Sequence, residues 1–278
     1  MLQTLLLSSL LLAAPAAPAA LVLRGVTVID GTGRPPVADA VIVIAGDRIR
    51  SVGPISDALI PEGARVLDLS GRTVFPGLAD LHVHLQGGWD GLRPDLLNFG
   101  RYLDSLLYSG VTTVLDAGNS MPYVTQICQE IAAGRLRGPR VYCTGPMIDT
   151  AEPVWPPLAG PMASYSQATK IAKRLKDNRV DLVKGYAGLS DLMVRALVDA
   201  AREAGLRVIV DTWERNGSPS LVRSGIYGFA HAPHAPEITA ELAAEMAERK
   251  VGAITTITVR ESFARTGACR TSPSSSSR

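Results

Sequence analysis

The sequence predicts an α/β protein, an incomplete (β/α)8 TIM-like barrel of about seven strands preceded by a small N-terminal β-sandwich unit. After Phe75, β-branched runs alternate with segments whose apolar residues recur at helical spacing, which indicates βαβ units and a parallel sheet. Residues 21–74 instead form alternating or β-branched runs broken by Gly, Pro and Asp, a pattern typical of strands and hairpins. After Phe263 the apolar rhythm stops.

Residues 1–20 have the pattern of a secretory signal peptide. An apolar run from Leu5 to Leu12 precedes small residues and Ala-Pro repeats near Ala19, and the run is too short to span a bilayer. The residues before the run include no Lys or Arg, so a buried N-terminal strand or an uncleaved tail stays open as the alternative. We expect a secreted or periplasmic protein.

Seven segments in the second region are predicted barrel strands. In chain order they read VFPGLADLHVHL, VTTVLDAG, PRVYCTGPMI, VDLVKGYAG, LRVIVDTW, IYGFAHA and VGAITTITV. Helical patterns separate most of them; one is marked by Val194, Leu197 and Val198, with Ser190 placed to cap it and Gly205 to end it. No glycine-rich phosphate fingerprint follows the first strand, which argues against a dinucleotide-binding fold.

The barrel is predicted to occupy residues 75–263 and to lack its eighth strand. A complete barrel typically needs about 250 residues, whereas about 200 follow Phe75. Residues 264–278, ARTGACRTSPSSSSR, are Ser-rich and basic, a composition that cannot bury a core. Because an open barrel exposes unpaired strand edges, we expect a truncated or frame-shifted chain, with a native disordered tail as the alternative.

The charge balance excludes a strongly basic or acidic surface. Lys and Arg number 28 against 26 Asp and Glu, a net charge of +2, so we expect no nucleic-acid partner and no membrane association. The expected partner is a small-molecule substrate, and the oligomeric state, a homo-oligomer included, stays open. The three Cys residues are odd in number and widely spaced, which indicates neither a disulfide framework nor a zinc knuckle.

The first predicted barrel strand carries two candidate metal ligands. His82 and His84 are two residues apart in DLHVHL, so on a strand both imidazoles point to the same face and can hold one ion. Active sites of this fold lie at the carboxyl ends of the barrel strands, which is where this pair is predicted. The alternative is two solvated or core histidines.

Two further strand ends supply candidates. Lys184 ends the fourth strand in VDLVKGYAG; a buried ammonium is costly and cannot bind a cation, but a carbamate formed from the amine and CO₂ would be an anionic two-oxygen bridge. An ordinary lysine reaching for solvent is the alternative. His231 ends the sixth strand and is the better ligand candidate, whereas His234 lies in the following loop; either could be a plain hydrogen-bonded histidine.

These motifs together resemble the amidohydrolase superfamily of metal-dependent hydrolases, and within it the imidazolonepropionase-like and prolidase-like branch. The resemblance covers about residues 21–263 and rests on GRTVFPGLADLHVHL, GVTTVLDAG, RGPRVYCTGPMI, DLVKGYAG and GIYGFAHA. It implies one or two divalent cations, usually zinc, with His82 and His84 on the more buried ion, a carboxylated Lys184 as the bridge and His231 on the second ion. It also implies hydrolysis of a C–N bond (amide, peptide-like or cyclic amide) by a metal-activated hydroxide.

The chain departs from the family pattern twice. Where the family has a histidine at the end of strand five, this chain reads RVIVDTWER and offers Asp211, whose carboxylate can bind zinc. The proton-transferring aspartate after strand eight has no counterpart, so no catalytic residue is assigned, and losing such a group typically costs about 10²–10⁴ in rate. The alternatives are therefore a non-catalytic fragment with a partial metal site, or an ester or lactone hydrolase of the same superfamily.

Three more side chains have two interpretations each. Trp89 and Trp155 lie in the loops after strands one and three, where they could stack on a substrate or pack their own loops. Asp116 ends the second strand, where it could orient a ligand or serve as a turn residue.

Overall fold

A computed structural model describes residues 20–85, 95, 98–212, 216–233 and 235–266. The chain divides into two compact units, Met1–Pro76 and Gly77–Arg278. The predicted signal peptide, apart from its last residue, and the tail from residue 267 onward lie outside the described residues. In the part that the structure describes, no helix has the length and apolar character needed to cross a membrane.

The first unit contains one five-stranded sheet. Its strands are β1 (Leu21–Val28), β2 (Val37–Ala45), β3 (Arg48–Pro54), β4 (Arg65–Asp68) and β5 (Thr73–Val74). Strands β1, β2 and β3 pair antiparallel in sequence order, as the hairpin signals predict, whereas β4 and β5 each pair parallel with β1. A register shift interrupts β1 at Gly25, whose φ of +75° and close approach to Ser70 leave no room for a side chain.

Apolar side chains cover both faces of that sheet. One cluster contains Val26, Val28 and Ile42, and another contains Val22 and Val41. Neighbouring residues of one strand thus contribute to different clusters, as the two-residue period of a strand requires. The sheet is the only one among the described residues of this unit, so the predicted sandwich is not confirmed.

The second unit is an α/β structure with parallel sheets. Its strands, in chain order, are β6 (Leu78–Val83), β7 (Val111–Asp116), β8 (Arg140–Cys143), β9 (Met147–Asp149), β10 (Ala159–Pro161), β11 (Val183–Gly185), β12 (Val208–Val210), β13 (Gly228–Phe229) and β14 (Gly252–Ala253). Each of the seven predicted segments contains a strand. The predicted third strand is divided into β8 and β9 by the sequence Thr-Gly-Pro, in which the proline has no N–H for a ladder.

Because the predicted third strand is divided, the strands of the second unit form two separate sheets. One has the order β6-β7-β8, and the other has the order β10-β9-β11-β12-β13-β14. All pairs in both sheets are parallel. Among the described residues no pairing joins β14 to β6, so the barrel is not closed.

Helices follow the strands as the βαβ pattern predicts. They are α1 (Phe99–Tyr108), α2 (Tyr123–Ala132), α3 (Ala168–Asp177), α4 (Asp191–Glu203), α5 (Ser218–Arg223), α6 (Ala240–Arg249) and α7 (Ile257–Thr266). The predicted limits of α4 are confirmed: the Ser190 side chain accepts a hydrogen bond from the Met193 N–H, and Gly205 follows the helix with φ of +71°. Its predicted apolar face, including Val194 and Leu197, is buried in the main core.

The predicted end of the barrel needs correction. The predicted seventh strand VGAITTITV is extended only at Gly252–Ala253; Thr256 has φ of +45°, which ends the extended run, and α7 begins at the next residue. That helix runs to Thr266, past the predicted barrel limit at 263. Cys128 packs in the same core cluster as Cys143, and both are free thiols.

Candidate metal centre

The five predicted ligand residues all lie at carboxyl ends of parallel strands. His82 is in β6 and His84 immediately follows it, whereas Lys184 is in β11. Asp211 directly follows β12, and His231 lies two residues after β13. Side chains from separate strands therefore meet at one end of the unit, the end at which barrel enzymes build their sites.

The side chains converge around the amine of Lys184. Its Nζ atom lies 3.2 Å from Asp211 Oδ2 and 3.5 Å from His82 Nε2. Asp211 Oδ2 also lies 3.0 Å from His231 Nε2. The His82 ring centroid lies 4.2 Å from that of His231 and 5.3 Å from that of His84. The structure thus brings together every residue that the sequence nominates as a ligand.

A hydrogen bond at Nδ1 fixes the orientation of the His82 ring and of the His84 ring. His82 Nδ1 lies 2.7 Å from the Ala230 carbonyl oxygen, and His84 Nδ1 lies 2.7 Å from the Gly118 carbonyl oxygen. A carbonyl only accepts hydrogen bonds, so both imidazoles carry their proton on Nδ1 and keep a lone pair on Nε2. Gly118 approaches so closely that a Cβ there would lie 3.1 Å from the His84 ring. Such outer hydrogen bonds are typical of metal-binding histidines.

Burial sets the charges of these groups. It lowers the pKa of His82 to about 2 and that of His84 to about 4, with Lys184 adding to both effects, so both rings are neutral at pH 7. Burial also lowers the pKa of Lys184, although Asp211 opposes this. For Asp211 burial favours the neutral form, but Lys184 and His231 outweigh it and lower the pKa to about 2. These shifts favour neutral His82 and His84 rings and an ionised Asp211 at pH 7.

The donor set suits a divalent cation. Zinc accepts three imidazoles and a carboxylate as ligands. In His82 and His84, Nδ1 is engaged in a hydrogen bond, so the Nε2 lone pair is the one that can bind the ion. Within the described ranges, no three or more His, Cys, Asp or Glu side chains are already spaced to hold an ion by themselves. The Lys184 amine contacts both His82 Nε2 and Asp211 Oδ2, so it stands among the atoms that would bind an ion. The residues therefore fit an ion, but binding requires this amine to lose its proton or move.

Asp116 fixes both chain segments that hold His84. Its buried carboxylate accepts hydrogen bonds from the Leu85 N–H at 3.0 Å, the Gly118 N–H at 3.1 Å and the Asn119 side-chain amide at 2.8 Å. Leu85 follows His84 in sequence, and Gly118 provides the carbonyl to which the His84 ring binds. Burial raises the pKa of Asp116 to about 6 in spite of these bonds. The contacts fit both interpretations, because the bonds to Gly118 and Asn119 belong to the turn after β7 and the bond to Leu85 ties that turn to the His84 segment.

We expect the Asp116→Asn change to weaken zinc binding by about 10–100-fold, because an amide presents a donor to N–H groups and releases the His84 segments. Zinc affinity measured by chelator competition checks this. Asp149→Asn is the matched control, since Asp149 is equally buried and accepts from the Thr150 and Val154 N–H groups. Equal losses of affinity in the two variants would contradict a specific role for Asp116.

Two aromatic residues extend the site beyond the candidate ligands. The Tyr186 ring centroid lies 5.7 Å from Lys184 Nζ, and its hydroxyl accepts a hydrogen bond of 2.8 Å from the Trp155 indole N–H. This bond ties the loop of Trp155 to the segment after β11, and both predicted roles of Trp155 stay open. Sequence reasoning missed Tyr186, although its position two residues after Lys184 was a signal. Trp89 and His234 lie outside the described residues.

No family model matches the chain, but individual proteins do. Enamidase from Eubacterium barkeri is 35% identical over 95 residues, which cover 33% of this chain and 23% of the enamidase. Imidazolonepropionase from Rhizorhabdus wittichii is 24% identical over 268 residues, covering 82% of this chain and 67% of that protein. The chain thus spans less than a quarter of the enamidase it matches.

The fold also occurs in solved structures. A crystal structure of a prolidase complexed with N-methylphosphonate-L-proline matches with a TM-score of 0.77 and 22% identity, over 90% of this chain and 69% of that one. At this identity the likeness shows the fold alone. It agrees with the parallel α/β arrangement described above.

Proposed function

We propose that the chain belongs to the amidohydrolase superfamily and that it is a metal-dependent hydrolase of a C–N bond in a small molecule. The bond is an amide, peptide-like or cyclic amide. The observation that carries this proposal is the convergence of three histidines, Asp211 and Lys184 at the carboxyl ends of separate strands. These five side chains come from four different strands or the residues that follow them, so the local structure of one strand does not account for their meeting.

The proposed ligands divide into fixed and adjustable groups. A divalent cation, which we propose to be zinc, would polarise a carbonyl group and acidify water when bound. His82 and His84 present fixed Nε2 lone pairs, and Asp211 and His231 provide the adjacent donors. Lys184 stays a candidate for carboxylation, since burial lowers its pKa and carbamate formation needs a neutral amine.

The substrate class rests on the relatives. An enamidase, an imidazolonepropionase and a prolidase are named for different substrates that share a C–N bond. Tyr186 and Trp155 form an aromatic wall beside Lys184, which suits a small planar or cyclic substrate. Location outside the cytoplasm is part of the proposal and is supported by the apolar segment at residues 5–12.

We expect the full chain, stripped of metal and reloaded with zinc, to release an amine from a panel of N-acyl amino acids, dipeptides and cyclic amides. Matched esters and lactones in the same panel distinguish the two bond types. Lys184→Met is the control, because it removes the central amine and should abolish turnover. Tight zinc binding without amide hydrolysis would contradict the proposed activity, as would hydrolysis confined to esters.

A further inference from the structure

Three histidines lie near the Lys184 amine, and the Nδ1 partner of His231 differs in kind from those of His82 and His84. His82 and His84 each face a backbone carbonyl, which fixes the proton on Nδ1. His231 Nδ1 instead lies 2.8 Å from the Thr256 hydroxyl oxygen. A hydroxyl can either donate or accept a hydrogen bond, so this contact does not by itself choose a tautomer.

The other side of the His231 ring favours a proton on Nε2 when no cation is present. Nε2 lies 3.0 Å from Asp211 Oδ2, a carboxylate oxygen that also lies 3.2 Å from the Lys184 amine. A lone pair facing a carboxylate at that distance is unfavourable, whereas an N–H donates to it. A cation bound at Nε2 requires the opposite arrangement, because the metal takes the lone pair and the proton must lie on Nδ1.

The Thr256 hydroxyl has partners for both arrangements. It lies 2.8 Å from His231 Nδ1 and 3.2 Å from the His231 carbonyl oxygen. With the ring proton on Nε2, the hydroxyl donates to Nδ1. With the ring proton on Nδ1, the hydroxyl accepts it and turns its own proton to the carbonyl. The hydroxyl keeps its proton, and the imidazole has one N–H before and after, so the net charge is unchanged.

Thr256 holds this place at a conformational cost. Its φ of +45° lies in the left-handed region that a β-branched residue rarely adopts. The backbone around it is held on both sides, since Ile254 N–H donates to the Phe229 carbonyl and Arg260 N–H donates to the Thr256 carbonyl. Strain of this kind concentrates at functional positions, where surrounding structure maintains it.

We propose that Thr256 is a positioning residue that lets His231 exchange tautomers when a cation binds, whereas His82 and His84 are fixed ligands. The inference rests on the proposed metal-dependent function. In this proposal, the contact between His231 and Thr256 is the part of the site that changes when a cation binds. Neither residue type would reveal this pairing from the sequence, because 25 positions separate them.

Three variants of Thr256 test the proposal by zinc affinity and stability together. We expect Thr256→Val, which lacks the hydroxyl, to bind zinc about 10–100-fold more weakly, and Thr256→Ser to bind as the parent does. Thr256→Gly should lose the same affinity while its thermal stability is unchanged or higher, because glycine relieves the backbone strain. A purely structural role would instead lower affinity and stability together.

Nitrogen NMR of the His231 ring gives the second readout. We expect the proton on Nε2 in the metal-free chain and on Nδ1 after zinc loading. A metal-free chain with the proton on Nδ1, or a Thr256→Val variant that binds zinc as tightly as the parent, would overturn the inference. A parent chain that binds no zinc would instead contradict the proposed function, so the two failures are distinguishable.

Discussion

Replacing Asp211 with Asn is expected to lower the free energy of unfolding by about 3–5 kcal/mol at pH 7, because it leaves the Lys184 ammonium buried without its counter-charge. Both side chains are 1% exposed, and the Lys184 Nζ to Asp211 Oδ2 distance is 3.2 Å. The amine can limit the loss by releasing its proton, which from an ordinary pKa of 10.5 costs at most about 5 kcal/mol at pH 7. Urea denaturation measures the loss.

The double variant Asp211→Asn with Lys184→Met is the matched control for that result. Methionine keeps much of the volume of lysine and removes its charge, so we expect it to restore at least half of the lost free energy. Additive losses from the two single changes would contradict an ion pair at the centre of the site. A loss below about 1 kcal/mol for Asp211→Asn would contradict it as well.

His82→Ala is expected to remove most of the zinc that the chain binds. The change deletes one of few ligands, so affinity should fall by more than about 100-fold, beyond the loss typical of an outer partner. Metal content after equilibrium dialysis, measured by mass spectrometry, gives the result. Unchanged content would refute the role of His82.

An exposed ring provides the control for His82→Ala. Tyr165 is 58% exposed in the second unit, so Tyr165→Ala truncates an aromatic ring at the surface. We expect this variant to keep its full zinc content. If it lost zinc as His82→Ala does, the loss would reflect general damage to the unit.

The sequence predicted the strands that position the site because their signals are local. An HxH pair on a strand places both rings on one face, and chemistry-bearing residues at the ends of apolar runs meet at one edge of a parallel sheet. His82, Lys184 and His231 could therefore be predicted from the sequence alone. Asp211 could be predicted because it directly follows the fifth predicted barrel strand, β12, where the other candidates also lie at strand ends.

Other features depend on contacts between distant segments and left no periodic signal. The Lys184 amine contacts the His82 imidazole from β6 and the Asp211 carboxylate after β12, and no local sequence pattern encodes these contacts. The partner of His231 comes from the segment after β14, in a run that its β-branched composition wrongly marked as strand throughout. Tertiary packing overrode β-propensity there, because the backbone at Thr256 is held in the left-handed region.

Anomalous diffraction at the zinc edge, from crystals of the zinc-loaded full chain, would locate the bound ion. We expect a peak about 2.0–2.1 Å from Nε2 of at least two of the residues His82, His84 and His231. We also expect the Lys184 amine to have left its place between His82 and Asp211. A peak elsewhere on the chain, or a Lys184 amine that stays paired with Asp211 at saturating zinc, would contradict the proposed metal site.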